Sequence, residues 1–204
     1  MTEAAEQKSV ITVRTALAQR GVSGQIRRLD DSARTAVEAA QALGIEVGQI
    51  ASSLIFLADG DPVLVIASGG HRVDTSRLSG VLSGATITKA NAAGVRSATG
   101  FAIGGVAPVG HPESLRTIVD VALSRFDEVW AAAGHPHYVF PTTYDELLRI
   151  TGGEAAGDFD TGRRFRMDIR RKPEFRGRNL PSDGRGPATQ DVQIRSQDLQ
   201  NLDF

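Results

Sequence analysis

The sequence predicts an α+β domain, a mixed β-sheet with helices packed around it. Three observations carry this expectation. Apolar spacing is helical near the N-terminus. It then changes to two short β-rich runs, SLIFL and PVLVIAS, joined by ADGD, the signature of a hairpin. No regular βαβ repeat follows, so a doubly wound parallel sheet is not expected.

The elements follow in order. Residues 9–20 read as a helix, with Val10, Val13 and Leu17 on one side and Gly21 as the stop. RTAVEAAQALG is a second helix; Ala36, Ala40 and Leu43 share a face, and Gly44 suits a left-handed cap. After the hairpin, Asp74 can cap a helix through DTSRLSGVLSG, and Asn91 another short one. TIVDVALSRFDEVWAAAG mixes strand-like runs with a short helical turn. In TTYDELLRITGG, Thr143 and Glu146 have the spacing of a capping box, Leu147 and Ile150 give the apolar face, and Gly152 stops the helix. A packed domain over residues 1–156 is expected, followed by an extension over 157–204. In that extension GEAAGDFDTG reads as a linker running out of the domain. RFRMDIR alternates like a strand, with Phe165, Met167 and Ile169 on one side. SQDLQNLDF suits a helical turn carrying Leu199 and Leu202.

Composition excludes several chemistries. Cysteine is absent from the 204 residues, so disulfides, thiolate nucleophiles and zinc–thiolate sites are excluded together. No apolar run approaches the ~20 residues of a membrane span. MTEAAEQKSV has no secretory h-region, and a cytoplasmic protein is expected. The net charge of −1 conceals an asymmetry. Residues 1–157 hold 13 Lys/Arg and 16 Asp/Glu; residues 158–204 hold 10 and 8. The basic stretch RRFRMDIRRKPEFRGR is either a solvated tail or a phosphate-contacting arm.

The densest glycine region is SATGFAIGGVAPVGHP. It has neither G-x-G-x-x-G nor a Gly-Lys-Ser/Thr sequence, so the common nucleotide loops lose their support. What remains is a G-x-x-x-P turn made of Gly104, Gly105, Val106, Ala107 and Pro108. Its backbone N–H groups can hold a carbonyl or phosphate oxygen, or the turn is a structural connection. His135 follows Gly134 at the end of VWAAAG and suits a polar contact at a pocket rim. His135 and His137 lack a third ligand at metal-site spacing, and neither a metal nor another cofactor is expected. Ser52 and Ser53 precede the first hairpin run. They lack the G-x-S-x-G of a nucleophile elbow, so a serine hydrolase has weak support and strand-edge hydrogen bonding is the plain alternative.

RTAVEAAQALGIEVGQIASSLIF, PVLVIASGGHRVD, ATGFAIGGVAPVGH, FDEVWAAAG and LLRITGG together resemble the YbaK/EbsC family, the free-standing relatives of the editing domain inserted in bacterial prolyl-tRNA synthetase. The likeness covers roughly residues 10–155, in order. It implies a mixed sheet curled into a partial barrel with surrounding helices. It also implies a metal-independent hydrolase that cleaves the ester of mischarged aminoacyl-tRNA. Editing of this kind is needed because a pocket separates substrates differing by one methylene only ~10–200-fold.

The resemblance makes the 104–108 loop face the aminoacyl end and terminal adenosine, with Ser53, Gly134 and His135 in the substrate pocket. The partners it implies are the acceptor end of aminoacyl-tRNA and, as a second partner, a synthetase; a monomer is expected. The family commonly has a lysine before the first hairpin strand. Aligning on Leu54 puts Ser52 there, as the candidate catalytic position. A hydroxyl donates a hydrogen bond but brings no charge, so Arg34, Arg72 or Lys89 become candidate substitutes. The alternative is a non-catalytic module that binds an aminoacyl or nucleotide end, or a synthetase. If the basic extension holds phosphates, deleting residues 158–204 weakens tRNA binding and flattens its salt dependence. A binding titration across salt concentrations checks this, and an unchanged slope removes the arm.

Overall fold

Helix α1 (Glu3–Gln19) forms around an apolar stripe. Val10, Val13, Ala16 and Leu17 are all buried on one face at three- and four-residue spacing. The helix starts six residues before the expected position 9. Gly21 closes it in the left-handed region, with φ 68°. The computed structural model describes residues 3–22, 24–29 and 35–157. The strand and helical turn expected at 164–170 and 196–204, and Arg34, lie outside the described residues.

Strand β1 (Arg27–Arg28) is short, and α2 (Ala36–Leu43) follows. Thr35 and Glu38 form a full capping box on α2. The Glu38 N–H donates to Thr35 Oγ1 at 3.2 Å, and the Thr35 N–H donates to Glu38 Oε2 at 2.8 Å. Gly44 supplies the expected left-handed cap. A 3₁₀ turn (Val47–Gln49) leads into β2 (Ile50–Ala58) and β3 (Asp61–Ser68). Their two-residue turn uses Asp59 and Gly60, both at positive φ, as a tight hairpin turn requires. Helix α3 (Thr75–Val81) is capped by Asp74, and α4 (Ala92–Thr99) by Asn91, as expected; β4 (Ile87–Lys89) lies between them.

Next come β5 (Arg116–Asp120), a 3₁₀ segment (Val121–Arg125), β6 (Val129–Ala132) and β7 (Tyr138–Thr142). The last elements are α5 (Tyr144–Thr151) and β8 (Glu154–Ala156). Only half of the expected capping box at α5 forms. The Glu146 N–H donates to Thr143 Oγ1, but the Glu146 carboxylate turns to Thr142 Oγ1 at 2.8 Å and to Arg149 at 3.1 Å. The region read as a linker begins as β8, which pairs in parallel with β5.

The sheet is mixed and unclosed. Its order is β1-β7-β6-β2-β3-β5-β8, with β4 branching from β2. One face carries the main core, in which Leu64, Ile66, Val129 and Phe140 pack against α1 and α5. The other face is covered in two places. Helix α2 seals Ile50, Trp130 and Val139, and α3 seals Phe56, Val63 and Val65. Between the two covers the sheet stays bare. Thr35→Ala is expected to lower stability by about 1 kcal/mol, moving Tm down by roughly 2–4 °C. Thermal unfolding checks this, with Thr35→Ser close to the parent.

Candidate active site

The bare strip has a cause in the pairing of β2. Its β3 edge is paired along its whole length, from Ala51 opposite Ser68 to Ala58 opposite Asp61. On the opposite edge, β6 pairs only Ile50 and Ala51, and β4 only Phe56, Leu57 and Ala58. The Gly69 N–H donates to Ile50 O, on the β3 side, and the Ala90 N–H donates to Ile55 O, on the β4 side. Backbone groups alternate in direction along a strand. The N–H and C=O of Ser53 therefore point into the gap between β6 and β4.

A cleft of about 460 Å³ occupies this place. Ser52, Ser53 and Leu54 line it from β2, Trp130 and Ala132 from β6, and Thr35, Ala36 and Ala39 from α2. Ile103, Gly104 and Val106 reach it from the glycine loop, and Pro136 from the turn after β6. Ile103 and Leu54 are 61% and 39% exposed, which makes the mouth apolar. Ser53 Oγ is buried and has no hydrogen-bond partner among the described residues. Buried hydroxyls are ordinarily paired, so this one is a donor awaiting an acceptor. The expected strand-edge bond is not made.

Two cations border the cleft, Arg72 and Lys89, both exposed. Lys89 stands opposite Phe56 across the β2–β4 pair. Cross-strand partners share a face, so Lys89 lies on the face of Ser52 and Leu54. His71 lines the cleft as well. Its ring is fixed by a buried carboxylate, Asp120, at 2.9 Å. Nothing local in the sequence joins these two residues, which are 49 positions apart.

Four of the nine sequence-predicted residues line the cleft: Ser52, Ser53, Gly104 and Val106. The others stand behind it. A Cβ on Gly105 would come 2.7 Å from His135 Cα, so the loop rests backbone to backbone on that turn. Gly134, at φ 90°, likewise passes close to the Ser9 carbonyl of α1. His135 is buried, with its Nδ1 accepting from the His137 N–H and its ring edge-on to Tyr138. Buried Ala107 is held from behind, since its carbonyl accepts from His111 Nε2 at 2.8 Å. Burial lowers the His111 pKa from its ordinary value and so favours the neutral ring, whose Nε2–H makes this bond.

Pro108 lines a second hollow of about 550 Å³, between α1, α5 and residues 108–115. The glycine loop is thus the wall between two hollows. Among the described residues, no three His, Asp or Glu side chains come together as a metal site, and no helix is long and apolar enough to cross a membrane.

Comparison with known proteins agrees with this architecture. A crystal structure described as a candidate trans-editing enzyme for prolyl-tRNA synthetase superposes with a TM-score of 0.70 at 43% identity, over 73% of this chain and 95% of that one. YwhH of Bacillus subtilis is 31% identical over 144 residues, 70% of this chain and 91% of that protein. The proline–tRNA ligase of Leuconostoc citreum is 28% identical over 132 residues, 64% of this chain but only 23% of the ligase. Residues 30–150 match the model of the aminoacyl-tRNA editing domain, more than half of the chain. The chain belongs to the aminoacyl-tRNA editing domain family.

Proposed function

We propose that the chain is a trans-acting, metal-independent deacylase. It hydrolyses the ester between a wrongly attached amino acid and the terminal ribose of tRNA, as a cytoplasmic monomer working behind a synthetase. The carrying observation is the cleft at the interrupted edge of β2, where Ser53 presents a buried, unpartnered Oγ and an unpaired backbone N–H. The solved structure described as a candidate trans-editing enzyme supports the substrate class.

The cleft's chemistry suits an ester. Its volume falls in the range of small-ligand pockets. Its apolar mouth at Leu54 and Ile103, with buried Val106 behind it, can take a small side chain and the ribose. Hydrogen-bond donors aimed at a carbonyl oxygen stabilise the negative charge that develops there. Ser53 supplies two such donors; Ser52, on the opposite face of β2, offers its hydroxyl to another part of the ligand. Arg72 and Lys89 stand where they can meet the terminal phosphates, an electrostatic contact that holds the acceptor end. Gly104, held at φ 85° against Pro136, lets the loop's backbone come close to the substrate. Gly105, Ala107, Pro108, Gly134 and His135 keep that loop in place. The basic 158–204 extension supplies further phosphate contacts.

A second reading has one observation in its favour. Ser52 brings no charge to the position where related proteins commonly carry lysine, which suits a module that binds without turnover.

A panel of tRNAs charged with Cys, Ala, Ser, Thr or Pro separates the two. The wild type is expected to clear at least one species well above the protein-free rate. Clearing none, while Ser52→Lys gains ~10²–10³-fold in rate, would establish the binding module instead. Ser53→Ala isolates the unpartnered hydroxyl. Replacing an unsatisfied polar group by an apolar one is expected to leave stability unchanged or raised by up to about 1 kcal/mol. Deacylation is expected to fall at least ~10-fold, the loss of about one hydrogen bond to a charged centre. Loss of stability with a retained rate would make the hydroxyl structural.

A further inference from the structure

The Asp120–His71 pair is built from parts far apart in sequence. Strands β3 and β5 run parallel, with Ile66 opposite Val119. Their C-terminal ends therefore bring Ser68 and Asp120 together. Asp120 is fully buried and held at three points. Its Oδ1 accepts from the Ala122 N–H at 2.9 Å; its Oδ2 accepts from the Ser68 N–H at 3.1 Å and meets His71 Nδ1 at 2.9 Å. The chain beyond Ser68 turns sharply through Gly69 and Gly70, and the His71 N–H closes that turn on Ser68 O at 2.9 Å. A Cβ on Gly69 would lie 2.5 Å from the Val47 carbonyl, so only glycine lets the turn pass and return His71 over Asp120.

This arrangement fixes the ring's tautomer. The carboxylate has two backbone donors already and offers only acceptor oxygens, so Nδ1 is the nitrogen that carries the proton. In the neutral form of the ring Nε2 then holds the lone pair, and among the described residues no hydrogen bond to Nε2 is found. The His71 side chain is 18% exposed and lines the same cleft as Ser52 and Ser53. With Nδ1 turned inward to Asp120, the remaining ring edge is the one available to the cleft. A buried acid orienting a histidine whose second nitrogen faces a substrate site is the arrangement of a general base.

We propose that His71 is the general base of the hydrolysis and Asp120 its positioning residue; this rests on the deacylase reading above. His71 Nε2 removes a proton from water as the water oxygen bonds to the ester carbonyl carbon. The carbonyl electron pair moves to oxygen, where Ser53 receives the charge. Collapse of the tetrahedral intermediate re-forms the carbonyl and breaks its bond to the ribose oxygen. That oxygen takes the proton back from Nε2. One water is consumed, a free amino acid and a free ribose hydroxyl are produced, and the neutral imidazole is restored. The dyad gives this chain a catalyst at a site where Ser52 supplies no charge.

The test uses the full chain and the charged tRNA that the panel shows to be cleared fastest, under single turnover with protein in excess. His71→Ala is expected to lower the chemical rate by ~10²–10⁴-fold, the contribution of a positioned proton acceptor. Affinity for the charged tRNA stays within about threefold, since the loss falls on kcat. Added imidazole is expected to restore part of the rate to His71→Ala and none to the wild type. His71→Gln keeps a side-chain donor for Asp120 without a basic nitrogen, and is expected to fold like the wild type with the rate of His71→Ala. Wild-type rates in either His71 variant, or a His71→Gln that works normally, overturn the dyad while the deacylase reading stands. A folded wild type that clears no species in the panel overturns both.

Discussion

Hydrogen bonding along β2 is continuous with β3 but broken on the opposite edge, because β6 runs out at Ala51 and β4 begins only at Phe56. A sheet interior does not tolerate unpaired backbone cheaply, since each buried orphan group costs about 1–3 kcal/mol. The gap persists because solvent or a ligand can reach it. Its two ends are fixed by packing: Trp130 is clamped under α2, and Phe56 under α3. Closing the gap would require β6 to extend past Ala132, where the chain instead turns through Ala133 and Gly134. The site is therefore a consequence of strand lengths and not of any one catalytic motif.

The glycine loop follows from the same geometry. It has to cross the open edge without filling it, and it does so by resting on the turn after β6. Gly105 against the His135 backbone is a contact that any Cβ would break. His111 then ties the loop from behind, by donating to the Ala107 carbonyl. That bond uses the ring's Nε2–H, and burial favours the neutral form of the ring. Beyond it, Arg20 and Arg149 clasp the ends of α1 and α5: Arg20 Nε donates to Ile150 O at 3.0 Å, and Arg149 donates to Arg20 O at 2.6 Å. Cations at helix C-termini are favoured by the helix dipole, and here they also hold the two helices that back the loop.

Much of the fold was legible because its signals are local. Gly44, Asp74, Asn91 and the ADGD turn each act within a few residues, and each does what its spacing implies. The errors also have physical causes. Glu146 had the right spacing for a capping box, but Thr142 and Arg149 compete for its carboxylate. The Thr35–Glu38 box, which spacing alone offers equally well, went unread. Strand β8 is three residues long and exists through its parallel pairing with β5; no periodicity can be seen in Glu-Ala-Ala. In the site, Ser52, Ser53, Gly104 and Val106 were reachable from the sequence through the family resemblance. Asp120 and His71 were not reachable as a pair, because parallel pairing of β3 and β5 is what joins them. Whether Ser53 Oγ has a partner is likewise a property of the gap, invisible in the residues.

The cations at the cleft divide the work of the site. Lys89 is registered opposite Phe56, four residues from Ser52, or about 13 Å along the strand. A lysine's four-carbon stem falls well short of that distance. Lys89 thus cannot place its ammonium beside Ser52 while β4 keeps its register. Arg72 follows His71 directly on an exposed turn, and its guanidinium suits phosphate better than a buried centre. Charge therefore lies at the rim of the cleft and not at its centre beside Ser52. The centre is left with neutral donors from Ser52 and Ser53 and with a histidine held by a buried acid. For the proposed hydrolysis, a site so arranged gains little from attracting charge to the reacting carbon and much from fixing donors and a proton acceptor around it, which is what the interrupted edge of β2 and the ends of β3 and β5 provide.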